Sequence, residues 1–133
     1  IRAEEVSACL DWYFSHIPEH LRALSVYSEG EWQQIPLASI RYIDVYGHRS
    51  HIHTPRGVIT TRRGLDDLES AIESQDFLRC HRSFLVNLNY VEGIEGSDLR
   101  MKDQTLIPIS SANTSNIRRQ FIEWTSWKAW TQA

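Results

Sequence analysis

Turn signals recur about every eight to twelve residues along most of this chain, and the runs between them are short, β-branched and aromatic. That spacing leaves little room for long helices in the middle of the sequence. It implies a mainly antiparallel β domain. Ile40-Arg41-Tyr42-Ile43-Asp44-Val45-Tyr46 is the strongest strand signal, and Gly47 stops it. Residues 50–54 and 58–61 flank Pro55-Arg56-Gly57 and read as a hairpin. Residues 25–28 and 32–37 form a strand pair around Glu29-Gly30. Further strands are read at 91–94, 99–101 and 105–107, with turns at Gly96-Ser97 and Lys102-Asp103-Gln104.

Helical periodicity interrupts this pattern in three places. Leu65, Leu68, Ala71 and Ile72 give residues 65–74 one apolar face, and Asp66, Asp67 and Glu69 lie in or near the first turn, where the helix dipole favours negative charge. A final helix carries Ile117, Phe121, Ile122 and Trp124, and either Ser110 or Ser111 can cap it. Near the N-terminus, Val6, Cys9, Leu10, Tyr13 and Phe14 form a helical stripe over residues 3–16. Pro18 ends that helix, and a short second one is read from Pro18 to about Leu24.

A chain of 133 residues suits one compact domain with an appended helix, and five Trp help to build its core. No run approaches the ~20 apolar residues that a membrane-spanning helix needs, and no signal-peptide pattern opens the sequence. Cys9 and Cys80 are too few and too far apart for a zinc ribbon or a disulfide framework. Both read as small core residues, compatible with a reducing cytoplasm. The chain begins with Ile1 rather than Met, so a fragment of a longer protein is expected. Its expected divisions are an N-terminal helical segment over 1–24, a β-rich body over 25–123 and a Trp-rich tail over 124–133.

The formal net charge of -3 argues mildly against nucleic acid as a partner, but its distribution softens the argument. The excess acid belongs to the first 33 residues, which carry Glu4, Glu5, Asp11, Glu19, Glu29 and Glu31 against Arg2 and Arg22. Residues 34–123 are neutral, and their Arg outnumber Lys ten to one. Arg is the better base reader and phosphate fork. A neutral domain binds DNA when its cations share a face, with modest non-specific affinity.

Such cations are offered by Phe77-Leu78-Arg79-Cys80-His81-Arg82-Ser83-Phe84-Leu85-Val86-Asn87-Leu88. Two apolar runs hold a polar packet, His81-Arg82-Ser83, between strand ends. Arg on a rigid loop can read guanine edges or clamp phosphate, and His and Ser can hydrogen-bond phosphate oxygens. The plainer reading is a solvated turn. Other chemistry finds less support. His51 and His53 share a strand face near His48, but no nearby Cys or carboxylate completes a metal site. Asp66, Asp67 and Glu69 are accounted for by the helix dipole. There is no phosphate loop, nucleophile elbow or HExxH motif, so neither an enzyme nor a cofactor or metal is expected.

The order of blocks closely resembles the LytTR domain, the DNA-binding module of LytR/AlgR-type bacterial response regulators. The blocks are Ile40–Gly47, Ile52-His53-Thr54-Pro55-Arg56-Gly57, the helix opening Leu65-Asp66-Asp67-Leu68-Glu69, the His-Arg-Ser stretch and Ile107-Pro108-Ile109-Ser110. The resemblance covers roughly residues 25–123. It implies an α+β fold: short antiparallel strands in several small sheets plus two helices, with the N-terminal helical extension outside it. It implies sequence-specific binding of double-stranded promoter DNA, with loops rather than a recognition helix entering the major groove. It also implies a cytoplasmic transcription regulator, with an upstream receiver domain and, as one arrangement, a homodimer on DNA.

Carried over position by position, the resemblance implies three contact regions. His48, Arg49 and Ser50 follow the strong strand. His81, Arg82 and Ser83 form the second region, with Arg82 reading a base. Ser110, Ser111 and Asn113 open the final helix; many members carry Arg where this chain has Ser111, which weakens a third base contact. Asn87 is expected to serve the main chain rather than DNA. The rival reading is a protein-interaction module. Trp124, Trp127 and Trp130 recur every three residues and, on a continuing helix, share roughly one side. They would pack on the N-terminal helix, where Trp12, Tyr13 and Phe14 lie, or join two copies.

Overall fold

Side-chain alternation at period two decides which face each strand buries, and among the described residues ten strands pair into three antiparallel sheets. The structure, a computed structural model, describes residues 22–132. The helix expected over residues 3–16, and Cys9 with it, lie outside the described residues. Strands β1 (Ala23–Ser28) and β2 (Glu31–Pro36) form a hairpin. Then come β3 (Tyr42–Tyr46), β4 (Arg49–Thr54) and β5 (Gly57–Thr61). Helix α1 (Leu65–Ile72) leads to β6 (Phe77–His81) and β7 (Phe84–Asn87). These last five strands make the central sheet, in the order β5-β4-β3-β7-β6. Strands β8 (Val91–Glu95), β9 (Asp98–Met101) and β10 (Leu106–Pro108) make a third sheet, ordered β10-β9-β8. Helix α2 (Thr114–Gln132) follows.

The central sheet separates two cores. Ile43 stands opposite both Ile52 and Leu85, and these three face a core completed by Leu68 and Ile72 of α1 and by Val26 and Ile35 of the first hairpin. Leu78 stands opposite Val86, and both face the other core with Cys80, Leu99, Met101 and Ile117 of α2. Each fully buried aliphatic side chain stabilises the fold by about 1.5–3 kcal/mol relative to exposure. Cys80 is one of these small core groups, as expected. Burial pushes its thiol up to about 12, and Sγ donates to the Pro108 carbonyl at 3.6 Å.

Asn87 holds main chain where the two cores meet. Its Nδ2 donates to the Ile40 carbonyl at 2.9 Å, and its Oδ1 accepts from the Asn89 amide at 3.0 Å. The side chain is buried, so its role is the structural one expected.

Two boundaries differ from the sequence expectation. Ala23 and Leu24 belong to β1 rather than to a helix; Leu24 pairs with Ile35 and points into the core two residues before Val26. The final helix is preceded by a 3-10 turn over Ser111–Asn113, and the Ser110 hydroxyl makes no capping bond. Instead the Ser110 carbonyl accepts from the Asn113 amide at 2.9 Å and the Thr114 hydroxyl at 3.3 Å. Helix α2 itself runs unbroken to Gln132, so the Trp-rich segment continues the final helix. Its Trp124 packs on the second core and donates from Nε1 to Asp76 at 2.9 Å, while Lys128 pairs with Asp76 at 3.1 Å. Trp130 is 82% exposed.

Candidate nucleic-acid interface

Strand register brings several turns to one end of the central sheet. Tyr46 pairs with Arg49 across the β3–β4 turn, and Asp44 pairs with Phe84, so the β6–β7 turn lies beside it. Ser50 pairs with Thr61, which puts the exit of β5, Arg62-Arg63, at the same end. At strand spacings of about 4.8 Å, the five strand ends span roughly 19 Å.

The β3–β4 turn is Gly47-His48. Both residues have left-handed backbone, at φ 60° and 62°. This is the two-residue hairpin loop whose twist matches its strands, and its first position suits Gly. His48 is a residue that tolerates this conformation better than most. It is exposed at the tip, and Arg49 begins the next strand, also exposed. Ser50 differs. It is buried, and its hydroxyl donates to the Arg63 carbonyl at 2.6 Å. Alternation turns it into the sheet, so its hydroxyl braces the β5 exit rather than facing outward.

The second turn is held from behind. The Val45 amide donates to the Ser83 carbonyl at 3.0 Å, and the Ser83 amide donates to His81 Nδ1 at 3.1 Å. That bond requires Nδ1 to be unprotonated, which leaves Nε2 as the imidazole donor. The ring also stands edge-on to Phe84, with centroids 5.7 Å apart. Arg79 does the rest. It donates to the His81 carbonyl at 3.0 Å and to the Arg82 carbonyl, and pairs with Asp66 at 2.7 Å and Glu69 at 3.3 Å on α1. A register shift between Arg79 and His81 accompanies this clamp. The Arg82 side chain projects into solvent from a turn fixed at both carbonyls.

The third segment is tied to the second. The Ser110 amide donates to the Cys80 carbonyl at 2.9 Å, just before His81. Ser111 and Asn113 are exposed there and Ser110 is half-buried. The structure therefore brings together all three segments that the sequence singles out, with Ser50 turned inward.

Charge partners separate scaffold from surface. Arg41, Arg63, Arg79, Arg100 and Arg119 each face a carboxylate. Among the described residues, Arg22, Arg49, Arg56, Arg62, Arg82 and Arg118 have no such partner, and three of these six, Arg49, Arg62 and Arg82, stand at this one end of the sheet. Arg62 was not singled out by the sequence, because its place beside Arg49 depends on the β4–β5 register. Arg79 was missed because only the fold shows it gripping the loop.

On one face of the hairpin, Tyr46 stacks on His51 and Tyr42 on His53, with centroids 3.8 and 4.1 Å apart. His53 bonds Asp44 at 3.1 Å, and His51 bonds Thr60 at 3.1 Å. Burial, and then the Asp44 carboxylate, raises the Tyr42 phenol above its ordinary value. These contacts occupy the two histidines as sheet-bracing groups. Among the described residues, no three His, Cys, Asp or Glu side chains are grouped to hold a metal.

The family model of the LytTr DNA-binding domain matches residues 30–122. This chain belongs to the LytTR family. Among its relatives, the CO-responsive transcriptional regulator RcoM of Rhodospirillum rubrum is 29% identical over 107 residues, covering 76% of this chain and 45% of the relative. The heme-containing CO-sensing transcriptional regulator RcoM 2 of Paraburkholderia xenovorans is 31% identical, covering 76% and 40%. Transcriptional regulatory protein YpdB of Escherichia coli K12 is 29% identical, covering 63% and 37%. The chain thus spans less than half the length of these relatives. A solved LytTr DNA-binding domain of a response regulator from Bacillus cereus superposes with a TM-score of 0.64 at 23% identity, covering 74% of this chain and 95% of that one. The several small antiparallel sheets with two helices are the LytTR fold. The LytTR domain is a DNA-binding domain, and its relatives are named as transcriptional regulators.

Proposed function

We propose that this LytTR domain reads promoter DNA by inserting the β3–β4 and β6–β7 turns into the major groove. The carrying observation is the set of three arginines without acid partners at one end of the central sheet. Arg82 and Arg49 read base edges, with His48 beside them; His81, Ser83, Ser110, Ser111 and Asn113 hold phosphates. Two turns two strand spacings apart fit a groove about 12 Å wide. The domain serves as the output of a longer bacterial regulator, working in the cytoplasm and carrying out no catalysis itself. A receiver domain upstream of it supplies the signal; the relatives' greater length leaves room for a further domain without saying which kind. No described helix is long and apolar enough to cross a membrane. The exposed Ile122, Trp127 and Trp130 of α2 favour a contact between copies on DNA as a further use of that helix.

Selection from random duplexes tests the reading. Wild-type protein is expected to enrich a short repeated motif, and Arg82→Ala to lose preference at one position of it. A wild type that enriches nothing at low salt overturns the proposal.

A further inference from the structure

Beyond the two reading turns, the same end of the sheet continues into an open groove of about 980 Å³ between the first hairpin and β5. Its walls include Tyr27, Trp32, Arg49, Arg62 and Arg63. Trp32 is 72% exposed and Tyr27 53%, and their rings meet edge-on with centroids 5.6 Å apart. The two rings together make one contiguous apolar patch on the groove wall, the kind of surface that marks a contact site. This pair is also rigidly mounted. The Ser28 hydroxyl donates to the Thr60 carbonyl at 2.6 Å, Thr61 donates to the Tyr27 carbonyl at 3.1 Å, and Arg63 donates to the Ser25 carbonyl at 3.0 Å.

We infer that this groove takes the sugar-phosphate backbone of duplex DNA flanking the bases read by the turns. The inference rests on the proposed DNA reading and extends its footprint. Two observations support it. Arg49 lines the groove and also stands at the reading turn, so one surface runs into the other. Arg62 lies one strand further out, without an acid partner among the described residues, where the wall of a groove about 12 Å wide would pass. Guanidinium groups there meet phosphate oxygens, and the Trp32 face covers the apolar side of a deoxyribose. Glu29 also lines the groove, so the strand must run along the arginine side, away from the hairpin tip.

The test compares two duplexes carrying the selected motif, one ending at the motif and one extended by a helical turn on each flank. Binding of the full chain is measured by fluorescence anisotropy across a salt series. Wild type should bind the extended duplex more tightly. Trp32→Ala should lose most of that gain and Trp32→Phe should keep it. Arg62→Ala should make the salt slope shallower by about 1 on the extended duplex alone. Both side chains are exposed, so neither change threatens the fold. Wild type that binds both duplexes equally overturns the inference and leaves the reading turns intact; so does a Trp32→Ala variant that alters self-association but not the length effect. Failure to bind either duplex overturns both.

Discussion

At the scale of single residues, burial and partners divide side chains that look alike in sequence. Arg82 sits between two short strands and Arg100 within one, yet Arg100 faces Glu92 and Glu95 at 3.6 Å while Arg82 faces solvent from a clamped turn. Arg82→Ala should therefore cost about 1–3 kcal/mol of discrimination at one base pair, and Arg100→Ala almost none. Competition binding with single-base operator variants measures the difference, and equal effects would remove the base-reading role. Cys80 makes a second prediction. Its thiol ordinarily titrates near 9.0, and in the fold it is raised to about 12 by burial. The folded state then keeps a proton that the unfolded chain loses. That contribution is complete below about pH 9 and declines as pH rises toward 12. Urea unfolding across this window should show falling stability, with a smaller slope in Cys80→Ala. The apolar run already placed Cys80 in a core. It did not reveal Arg79, because a loop clamp is defined by where His81 and Arg82 turn their carbonyls. The inward turn of Ser50 was legible in principle, since it lies two residues before the buried Ile52 and shares its face; the resemblance alone had placed it at the DNA.

At the scale of elements, the β3–β4 hairpin was legible because local chemistry determines it. Gly47 after a β-branched and aromatic run signals the turn, and the structure supplies left-handed backbone at both central residues. A Cβ at Gly47 would meet nothing within 4 Å, so substitution acts through backbone strain alone. Gly47→Ala should destabilise the domain by about 1–2 kcal/mol. Gly93→Ala, also with open space and without the left-handed backbone, is the control. Denaturant midpoints measure both, and equal losses would show that the turn conformation is not the cause. Because His48 and Arg49 ride on this turn, Gly47→Ala should weaken operator binding as well. The start of β1 was less legible. Leu24 follows a proline-led stretch whose sequence alone reads as helix, and only its pairing with Ile35 decides for strand. The continuation of α2 to Gln132 depends similarly on a distant partner, Asp76, which anchors Trp124 and Lys128.

At the scale of the whole molecule, the sheet order β5-β4-β3-β7-β6 gathers chain segments far apart in sequence. Residue patterns gave each hairpin; the resemblance to LytTR domains gave their convergence. The gathering also fixes the electrostatics. The full chain carries -3, so its positive end must attract DNA against the charge of the rest. Four of the acids, Glu4, Glu5, Asp11 and Glu19, precede the described residues. Replacing them with Gln or Asn changes the formal charge from -3 to +1 and alters no residue of the β3–β4 or β6–β7 turn. Coulomb repulsion between these acids and phosphate is long-ranged at low salt, and the Debye length shortens to about 10 Å at 0.1 M. The quadruple variant should therefore bind random duplex more tightly than wild type at low salt, and the two should converge as salt rises. Its preference for the operator over mismatched sites should stay unchanged, since base contacts set that ratio. Affinities measured across a salt series for operator and random duplex separate the terms. A changed preference at every salt concentration would mean that the acidic segment touches the reading surface, and that the domain's specificity is not confined to the sheet end.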